Sequence, residues 1–384
     1  MPARDRVPST EQPGLEAVGS VAVRTFETHQ HATRTTHKTT AHTMKMMDGQ
    51  HVNAMAGNES GRESTHFAAY EEVPEGHFYD PDAEYEPDPE YAATLAPDAA
   101  RQRRERIGPT GRPLPYFPIP GPLTSHGPAK IIAMCNQKGG VGKTTSTINL
   151  GAALAEYGRR VLLVDFDPQG ALSVGLGVNP MELDLTVYNL LMERGMQADE
   201  VLLKTAVPNM DLLPSNIDLS AAEVQLVSEV ARESTLQRAL KPLMQDYDYI
   251  VIDCQPSLGL LTVNALTAAH KVIVPLECEF FALRGVALLT ETIEKVQERL
   301  NPELELDGIL ATMYDSRTVH SREVLARVVE AFDDHVYHTV IGRTVRFPET
   351  TVAGEPITTY ASNSVGAAAY RQLAREVLAR CHAE

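Results

Sequence analysis

The clearest chemistry in this sequence lies in a glycine-rich stretch with two lysines, KIIAMCNQKGGVGKTT, at residues 130–145. A short apolar run leads into glycines that can adopt positive φ and close the backbone around an anion. A helix expected to begin near Thr144 adds free N–H groups that favour negative charge at the same point. Lys143 is expected to reach the β- and γ-phosphates of a nucleotide, and Thr144 to face Mg²⁺. The stretch therefore predicts a phosphate-binding loop.

Three aspartates at the ends of apolar runs supply the acidic groups that a phosphate site needs. Asp165 and Asp167 lie two residues apart in VLLVDFD, so on an extended strand they share a face and can address one Mg²⁺ or one water. Asp253 ends the run YIVID, the arrangement of a Walker B strand, in which the aspartate holds Mg²⁺ through water. Loop and acids together predict a site for Mg²⁺ and ATP.

Apolar β-branched runs alternate with helical stretches from Lys130 onward, which is typical of a parallel sheet covered on both faces. We predict an α/β P-loop NTPase fold whose ligands bind at the carboxyl ends of the strands. Strands are predicted at 131–135, 161–165, 210–213, 249–253, 272–276, 306–312 and 338–341. Helices are predicted at 144–157, 219–244, 258–268, 283–300, 321–332 and 364–380.

The loop departs from the common G-x-x-x-x-G-K-[ST] pattern because a second lysine, Lys138, lies inside it. The segment KGGVGKTT resembles the deviant Walker A loop of the ParA/MinD family of ATPases, and within that family chromosomal ParA (Soj). The resemblance covers about residues 130–380. It implies that Lys138 crosses a dimer interface to the ATP of the partner chain. The nucleotide contacts that it implies along the loop are Lys138, Gly139, Gly140, Val141, Gly142, Lys143, Thr144 and Thr145.

The resemblance also assigns roles to residues outside the loop. It implies that Asp167 orients or activates the attacking water, with Lys138 and Lys143 as the other catalytic residues. Asp165 would couple the γ-phosphate to a switch segment, and Asn264 matches an asparagine associated with the nucleotide. The residue patterns and the resemblance together predict three metal-binding residues, Thr144, Asp167 and Asp253.

Segments later in the chain match the family's dimer face and its DNA-binding arginines. Pro275–Arg284 corresponds to the dimer face, and the segments 310–318 and 340–349 carry the adenine pocket and the arginines that hold non-specific DNA. Arg317 and Arg346 align with those arginines. The resemblance implies a cycle in which ATP closes a homodimer, the dimer binds DNA without sequence preference, and a ParB-type partner stimulates hydrolysis. We therefore expect a cytoplasmic, nucleoid-associated protein.

The first 127 residues have a different composition and no sustained periodicity. The segment YDPDAEYEPDPEY at residues 79–91 alternates acid, proline and tyrosine, and it offers too little apolar surface to offset chain entropy. We predict a disordered low-complexity arm and proline-rich linker at residues 1–127, followed by a ParA-type ATPase domain at residues 128–384. The net charge of −17 does not itself favour DNA binding, which rests on the resemblance alone.

Three other functions stay open on the sequence. A MinD-like membrane-associated ATPase would need a C-terminal amphipathic anchor, and the last helix, AAAYRQLAREVLARCHAE, is amphipathic. Its apolar face is better explained by packing on the sheet, so no stable membrane anchor is expected. A tyrosine kinase of related fold would carry tyrosines at the end of the chain, whereas here they concentrate in the arm. A non-catalytic scaffold would bind ATP without partner-stimulated turnover.

Overall fold

The described residues form one mostly parallel sheet with helices on both faces. The computed structural model describes residues 106–279 and 282–381. Its seven strands are β1 (Lys130–Met134), β2 (Val161–Phe166), β3 (Leu203–Lys204), β4 (Met210–Leu213), β5 (Tyr249–Cys254), β6 (Lys271–Glu277) and β7 (Glu305–Thr312). They are ordered β3-β4-β2-β5-β1-β6-β7, and β3 alone runs antiparallel to its neighbour. The predicted P-loop fold is thereby confirmed.

Helices connect these strands and cover the sheet. They are α1 (Lys143–Glu156), α2 (Ala171–Gly175), α3 (Val187–Met192), α4 (Ala198–Val201), α5 (Leu219–Gln225), α6 (Thr235–Leu240), α7 (Leu260–Ala268), α8 (Ala282–Arg299), α9 (Val319–Phe332), α10 (Arg346–Ala353), α11 (Ile357–Tyr360) and α12 (Val365–Cys381). Five of the six predicted helices are present to within two residues at each end. The short helices α2, α3, α4, α10 and α11 were not predicted, because a few turns carry too little periodicity to stand out.

Two apolar cores form because alternate residues of each buried strand point to opposite faces of the sheet. In β1, Ile131 and Ala133 enter one core, whereas Ile132 and Met134 enter the other. On the second face α1 lies close to β2, since a Cβ at Gly151 would stand 2.6 Å from Leu163. The phosphate loop is therefore joined to a helix that is packed tightly against the centre of the sheet.

The C-terminal helix α12 packs on α1. The hydroxyls of Tyr370 and Ser146 are 3.1 Å apart, and the Arg371 guanidinium contacts the Glu156 carboxylate at 2.7 Å. Leu373, Val377 and their neighbours on the same side of α12 belong to the core. The apolar face of this helix is thus occupied by the domain itself. Among the described residues, no helix is long and apolar enough to cross a membrane.

Two predicted elements are wrong. The strand predicted at 338–341 is not formed, and the chain makes isolated bridges on either side of it instead. The N–H groups of His338 and Thr339 donate to the buried carboxylate of Glu376 at 2.8 and 2.9 Å. The helix predicted at 219–244 is broken between α5 and α6, where Ala231 adopts a left-handed φ of 52°. In both places side-chain or loop contacts replace the regular backbone pattern.

Residues before β1, within the arm and linker predicted for residues 1–127, make hydrogen bonds to later parts of the described chain. The predicted domain boundary after residue 127 stays a prediction. We call residues 106–128 the N-terminal strap. Arg112 donates to the carbonyls of Asp333 and Val336 at 2.8 and 2.5 Å. Near the other end of the strap, Asp248 accepts from His126 Nδ1 at 2.8 Å and from the backbone N–H of Gly127 at 3.0 Å. Residues 1–105 of the predicted arm lie outside the described residues.

Candidate nucleotide site

The phosphate loop occupies residues 136–142, between the carboxyl end of β1 and the start of α1. Gly140 and Gly142 adopt positive φ values of 75° and 85°, a region that other residues rarely enter. Gly142 caps α1, whose first turn contains no acidic residue. The free N–H groups of that turn are therefore available to an anion, and the helix dipole adds to the attraction.

The two lysines of the loop are directed differently. Lys143 is buried, and its Nζ donates to the carbonyl of Lys138 at 3.2 Å, across the loop that would hold the phosphates. The Lys138 side chain is 43% exposed, and its Nζ lies 3.0 Å from Glu277 and 2.6 Å from Glu279. One lysine thus belongs to the interior of the loop, whereas the other is paired with carboxylates outside it.

A partly assembled cation site lies beside Lys143. The Thr144 hydroxyl donates to Asp253 Oδ2 at 2.7 Å, while the buried Asp253 Oδ1 has no hydrogen-bond partner among the described residues. Asp253 is aligned with Asp165 on the neighbouring strand. Burial, followed by the charge of Asp165, raises the pKa of Asp253 to about 8. A buried, unpartnered carboxylate oxygen next to a hydroxyl fits a Mg²⁺ ion.

These residues fit Mg²⁺ only as part of a shared site. Among residues 106–279 and 282–381, no cluster of three or more His, Cys, Asp or Glu side chains could enclose a metal alone. Thr144 and Asp253 would supply the protein side, and nucleotide phosphates and water the rest, as Mg²⁺ prefers. The bound ion would neutralise charge on the transferred phosphoryl group.

Asp165 organises the turn that carries Asp167. The buried Asp165 carboxylate accepts from both the N–H and the hydroxyl of Ser173, at 2.8 and 2.7 Å, and from the N–H of Asp167 at 3.4 Å. Burial raises the pKa of Asp165 to about 7, although the Ser173 hydrogen bonds oppose the rise. Asp167 is half-buried and accepts from the N–H of Gln169 at 3.0 Å. Asp165 is thus fixed within the protein, whereas Asp167 sits at an open turn.

Asn264 is committed to a structural role in this conformation. Its Oδ1 accepts from the N–H groups of Thr235 and Leu236 at 3.0 and 3.2 Å. Its Nδ2 donates to the carbonyls of Arg232 and Leu260 at 2.9 and 3.0 Å. The amide joins α7 to the turn before α6, and a nucleotide contact would require these bonds to break. Its predicted association with the nucleotide stays a prediction.

The two arginines expected to bind DNA are exposed and paired with acids close by in the sequence. Arg317, with 87% of its side chain exposed, donates Nε and Nη2 to the Asp315 carboxylate, both at 2.9 Å. Arg346 is 55% exposed and lies 2.9 Å from Glu349. A DNA phosphate would have to compete with these carboxylates. The DNA role of both residues stays a prediction.

Several residues around the loop were not found from the sequence. Asn136 accepts from the N–H of Lys138 at 2.9 Å and donates to the carbonyl of Pro275 at 2.7 Å, so it links the loop to β6. Glu277 and Glu279 contact Lys138, although they lie 139 and 141 residues later in the sequence. The one sequence signal for Asn136 is its position in the loop just after the first strand. Glu277 and Glu279 lie in the segment Pro275–Arg284 that was matched to the dimer face, but no pattern singled out these two residues.

This geometry defines a P-loop nucleoside triphosphatase. Comparisons with known proteins agree: the family described as an AAA domain matches residues 129–306. An uncharacterized protein of Mycobacterium tuberculosis is 69% identical over 71% of this chain and 86% of its own length. The sporulation initiation inhibitor protein Soj of Bacillus subtilis is 49% identical over 65% of this chain and 98% of its own.

A solved structure extends the match to bound nucleotide. A Mycobacterium smegmatis protein titled cobyrinic acid a,c-diamide synthase, with bound ATP analogue and magnesium, is 46% identical at a TM-score of 0.59, over 66% of this chain and 96% of its own. The chain belongs to the ParA/MinD family of P-loop ATPases. It is an ATPase that uses ATP and Mg²⁺.

Proposed function

We propose that this protein is a dimerisation switch of the ParA/Soj type, acting in chromosome or plasmid partitioning. ATP closes a homodimer in which Lys138 of each chain contacts the ATP of the other. The dimer binds DNA without sequence preference on the nucleoid, and a ParB-type partner stimulates hydrolysis and release. Turnover without the partner is slow, because the complete site forms only on assembly.

The observation that supports this proposal is the divergence of the two loop lysines. Lys143 already lies across the phosphate loop, so a second lysine is not needed to bind phosphate within the chain. Lys138 is instead 43% exposed and is held by carboxylates outside the loop. A long, flexible ammonium at this place can reach the phosphates of a second molecule. Relatives named as chromosome-partitioning proteins support the proposed role in partitioning.

The DNA step is proposed for the segments that carry Arg317 and Arg346. Non-specific binding is driven by release of counterions, so affinity falls steeply with salt. With a net charge of −17, the chain must rely on a local patch that dimerisation doubles. The pairing of each arginine with a carboxylate predicts weak binding by the monomer.

The MinD-like alternative has less support. Its membrane anchor would be the last helix, but α12 directs its apolar residues into the core and contacts α1 through Tyr370 and Arg371. Sedimentation with anionic liposomes in the presence of ATP tests this alternative directly. We expect the protein to stay in the supernatant.

The decisive experiment compares wild type with Lys138→Ala, each with ATP and with ADP. Size-exclusion chromatography reports dimerisation, and retardation of plain duplex DNA at low salt reports DNA binding. We expect ATP-dependent dimerisation and DNA binding in wild type, and loss of both in the variant. Lys204→Ala is the matched control, because Lys204 is also exposed and lies 2.7 Å from a carboxylate, Asp211, at the distant edge strand β3.

Two further outcomes separate the parts of the proposal. An Arg317→Ala/Arg346→Ala protein should dimerise with ATP and yet fail to retard DNA. If wild type dimerises with ATP but does not bind DNA at low salt, the nucleoid step is wrong and the switch acts on another matrix. If wild type stays monomeric with ATP, the proposed function itself is wrong.

A further inference from the structure

Two carboxylates next to Lys138 hold it within its own chain. Glu277 is the last residue of β6, and Glu279 follows two residues later. Lys138 Nζ lies 3.0 Å from Glu277 and 2.6 Å from Glu279, so a single ammonium bridges both. The Glu277 side chain is only 14% exposed, whereas that of Glu279 is 55% exposed. We call this pair the acidic clasp.

The clasp and the partner chain require the same ammonium group. In the proposed function, Lys138 must reach the phosphates of a second molecule, and it cannot do so while both carboxylates hold it. We propose that Glu277 and Glu279 are positioning residues that retain Lys138 in the free monomer and thereby set the concentration at which ATP produces a dimer. This inference rests on the proposed function.

A third residue makes release of the lysine feasible. Half-buried Glu277 would be costly to leave without a cationic partner. Arg343 Nη2 lies 3.4 Å from Glu277 Oε1, so Glu277 keeps a positive neighbour when Lys138 departs. Glu279 is exposed enough for water to replace the lysine. The backbone of Arg343 is also held in place, because its main-chain N–H donates to the carbonyl of Tyr314 at 3.0 Å.

Two side-chain hydrogen bonds hold the phosphate loop beside the clasp. Asn136 donates to the carbonyl of Pro275 at 2.7 Å, and Gln137 Nε2 contacts the carbonyl of Gly285 at 3.4 Å. These bonds join the phosphate loop to β6 and to α8. The Lys138 side chain takes part in neither bond, so its release from the clasp leaves both in place.

The electrostatics of the pair agree with an ionic clasp. Although burial opposes the change, hydrogen bonds to Glu279 and Glu277 raise the pKa of Lys138 above its ordinary value. The hydrogen bond from Lys138 lowers the pKa of Glu279. The lysine is therefore charged while the clasp holds it. Because the clasp is partly exposed, salt should weaken its ion pairs. The free-energy difference between clasped and released Lys138 should therefore become smaller at high salt.

The two-fold symmetry of the proposed dimer increases the effect of the clasp on the dimer dissociation constant. An exposed ion pair changes an equilibrium by only about two- to fivefold. Each ATP dimer must release two lysines, one from each chain, so the effect on the dimer dissociation constant is the square of the effect per chain. A clasp worth about threefold per chain changes dimerisation by about tenfold. This is large enough to be measured by concentration-dependent sedimentation.

The first test measures dimerisation of a Glu277→Gln/Glu279→Gln protein with a non-hydrolysable ATP analogue and Mg²⁺. We expect dimerisation about tenfold tighter than in wild type at low salt, and a smaller difference at high salt. Glu291→Gln is the matched control, because Glu291 also lies 2.7 Å from a lysine, Lys295, on the exposed surface of α8. It should behave as wild type.

The second test needs no dimer. Mass spectrometry after brief treatment of the nucleotide-free protein with an acetylating reagent measures the reactivity of Lys138 relative to Lys204. We expect the ratio to rise several-fold in the double glutamine variant and to be unchanged in Glu291→Gln. This readout follows the release of the lysine amine itself and does not depend on dimer formation. Equal Tm values for wild type and the double variant exclude general destabilisation as the cause of a higher ratio.

The outcomes separate the clasp from the dimerisation switch. Unchanged reactivity of Lys138 overturns the clasp, as does dimerisation that is unchanged or weaker in the double variant of a protein whose wild type dimerises. If wild type does not dimerise with ATP, the switch proposal fails, and the control of dimerisation by the clasp fails with it. Increased reactivity together with tighter dimerisation supports the inference.

Discussion

Replacing Asp253 by Asn is expected to stabilise the nucleotide-free protein while removing its stabilisation by Mg²⁺ and ATP. Burial and the charge of Asp165 raise the pKa of Asp253 from 3.8 to about 8. A carboxyl group whose pKa is higher in the folded state keeps its proton there over that range. Its contribution to the free energy of unfolding therefore falls as the pH rises from about 4 to about 8. Asn cannot ionise and avoids this loss.

The magnitude follows from the size of the shift. Each tenfold change in proton affinity corresponds to about 1.4 kcal/mol, so the rise from 3.8 to about 8 sets an upper limit of roughly 5 kcal/mol at pH 8. The Thr144 hydroxyl, 2.7 Å from Asp253 Oδ2, can also donate to an Asn oxygen, so this contact is kept. A gain of about 2 kcal/mol would already raise the Tm by about 4–8 °C.

Thermal unfolding at about pH 5 and about pH 8, with and without Mg²⁺ and ATP, measures both effects. The variant should unfold at a higher temperature than wild type at the higher pH, and the difference should shrink at the lower pH. Mg²⁺ with ATP should stabilise wild type much more than the variant. Asp246→Asn, an exposed neighbour in sequence, serves as control. A variant less stable than wild type at pH 8, or one that keeps the full response to Mg²⁺, refutes this reasoning.

Three other predictions test particular contacts. Asp248→Ala removes three hydrogen bonds, two of them to the N-terminal strap. We expect denaturant unfolding to show a free energy of unfolding lower by about 3 kcal/mol, and proteolysis to cut earlier within residues 106–128. Exposed Asp246→Ala is the control. Glu376→Gln places an amide against one of two buried N–H groups, and should lower the free energy of unfolding by about 2–4 kcal/mol in the same assay. Asp315→Asn/Glu349→Gln frees the two arginines, so DNA retention with ATP should persist to higher salt; retention below the wild-type level would contradict this.

The order of elements around the nucleotide site could be predicted from the sequence because it depends on local patterns. A strand, a glycine loop and a helix follow one another within residues 130–156, so spacing alone places Lys143 and Thr144 at the helix start. Asp165 and Asp253 end apolar strands, and parallel strands present their carboxyl ends at one edge. The register of β2 and β5 then places these two acids side by side.

Only the tertiary structure decided which side chains from distant segments contact the residues of the site. Lys138 meets Glu277 because β1 lies beside β6, an order that periodicity does not encode. The same holds for Glu376, whose carboxylate accepts from the N–H groups of residues 338 and 339. It also holds for Asn264, which joins α7 to a segment 28–32 residues away. Sequence patterns describe the spacing of residues within one segment, and that spacing was sufficient to predict the chemistry of the loop. Ion pairs and buried hydrogen bonds depend on which segments the fold brings together, so the partners of Lys138 appeared only in three dimensions.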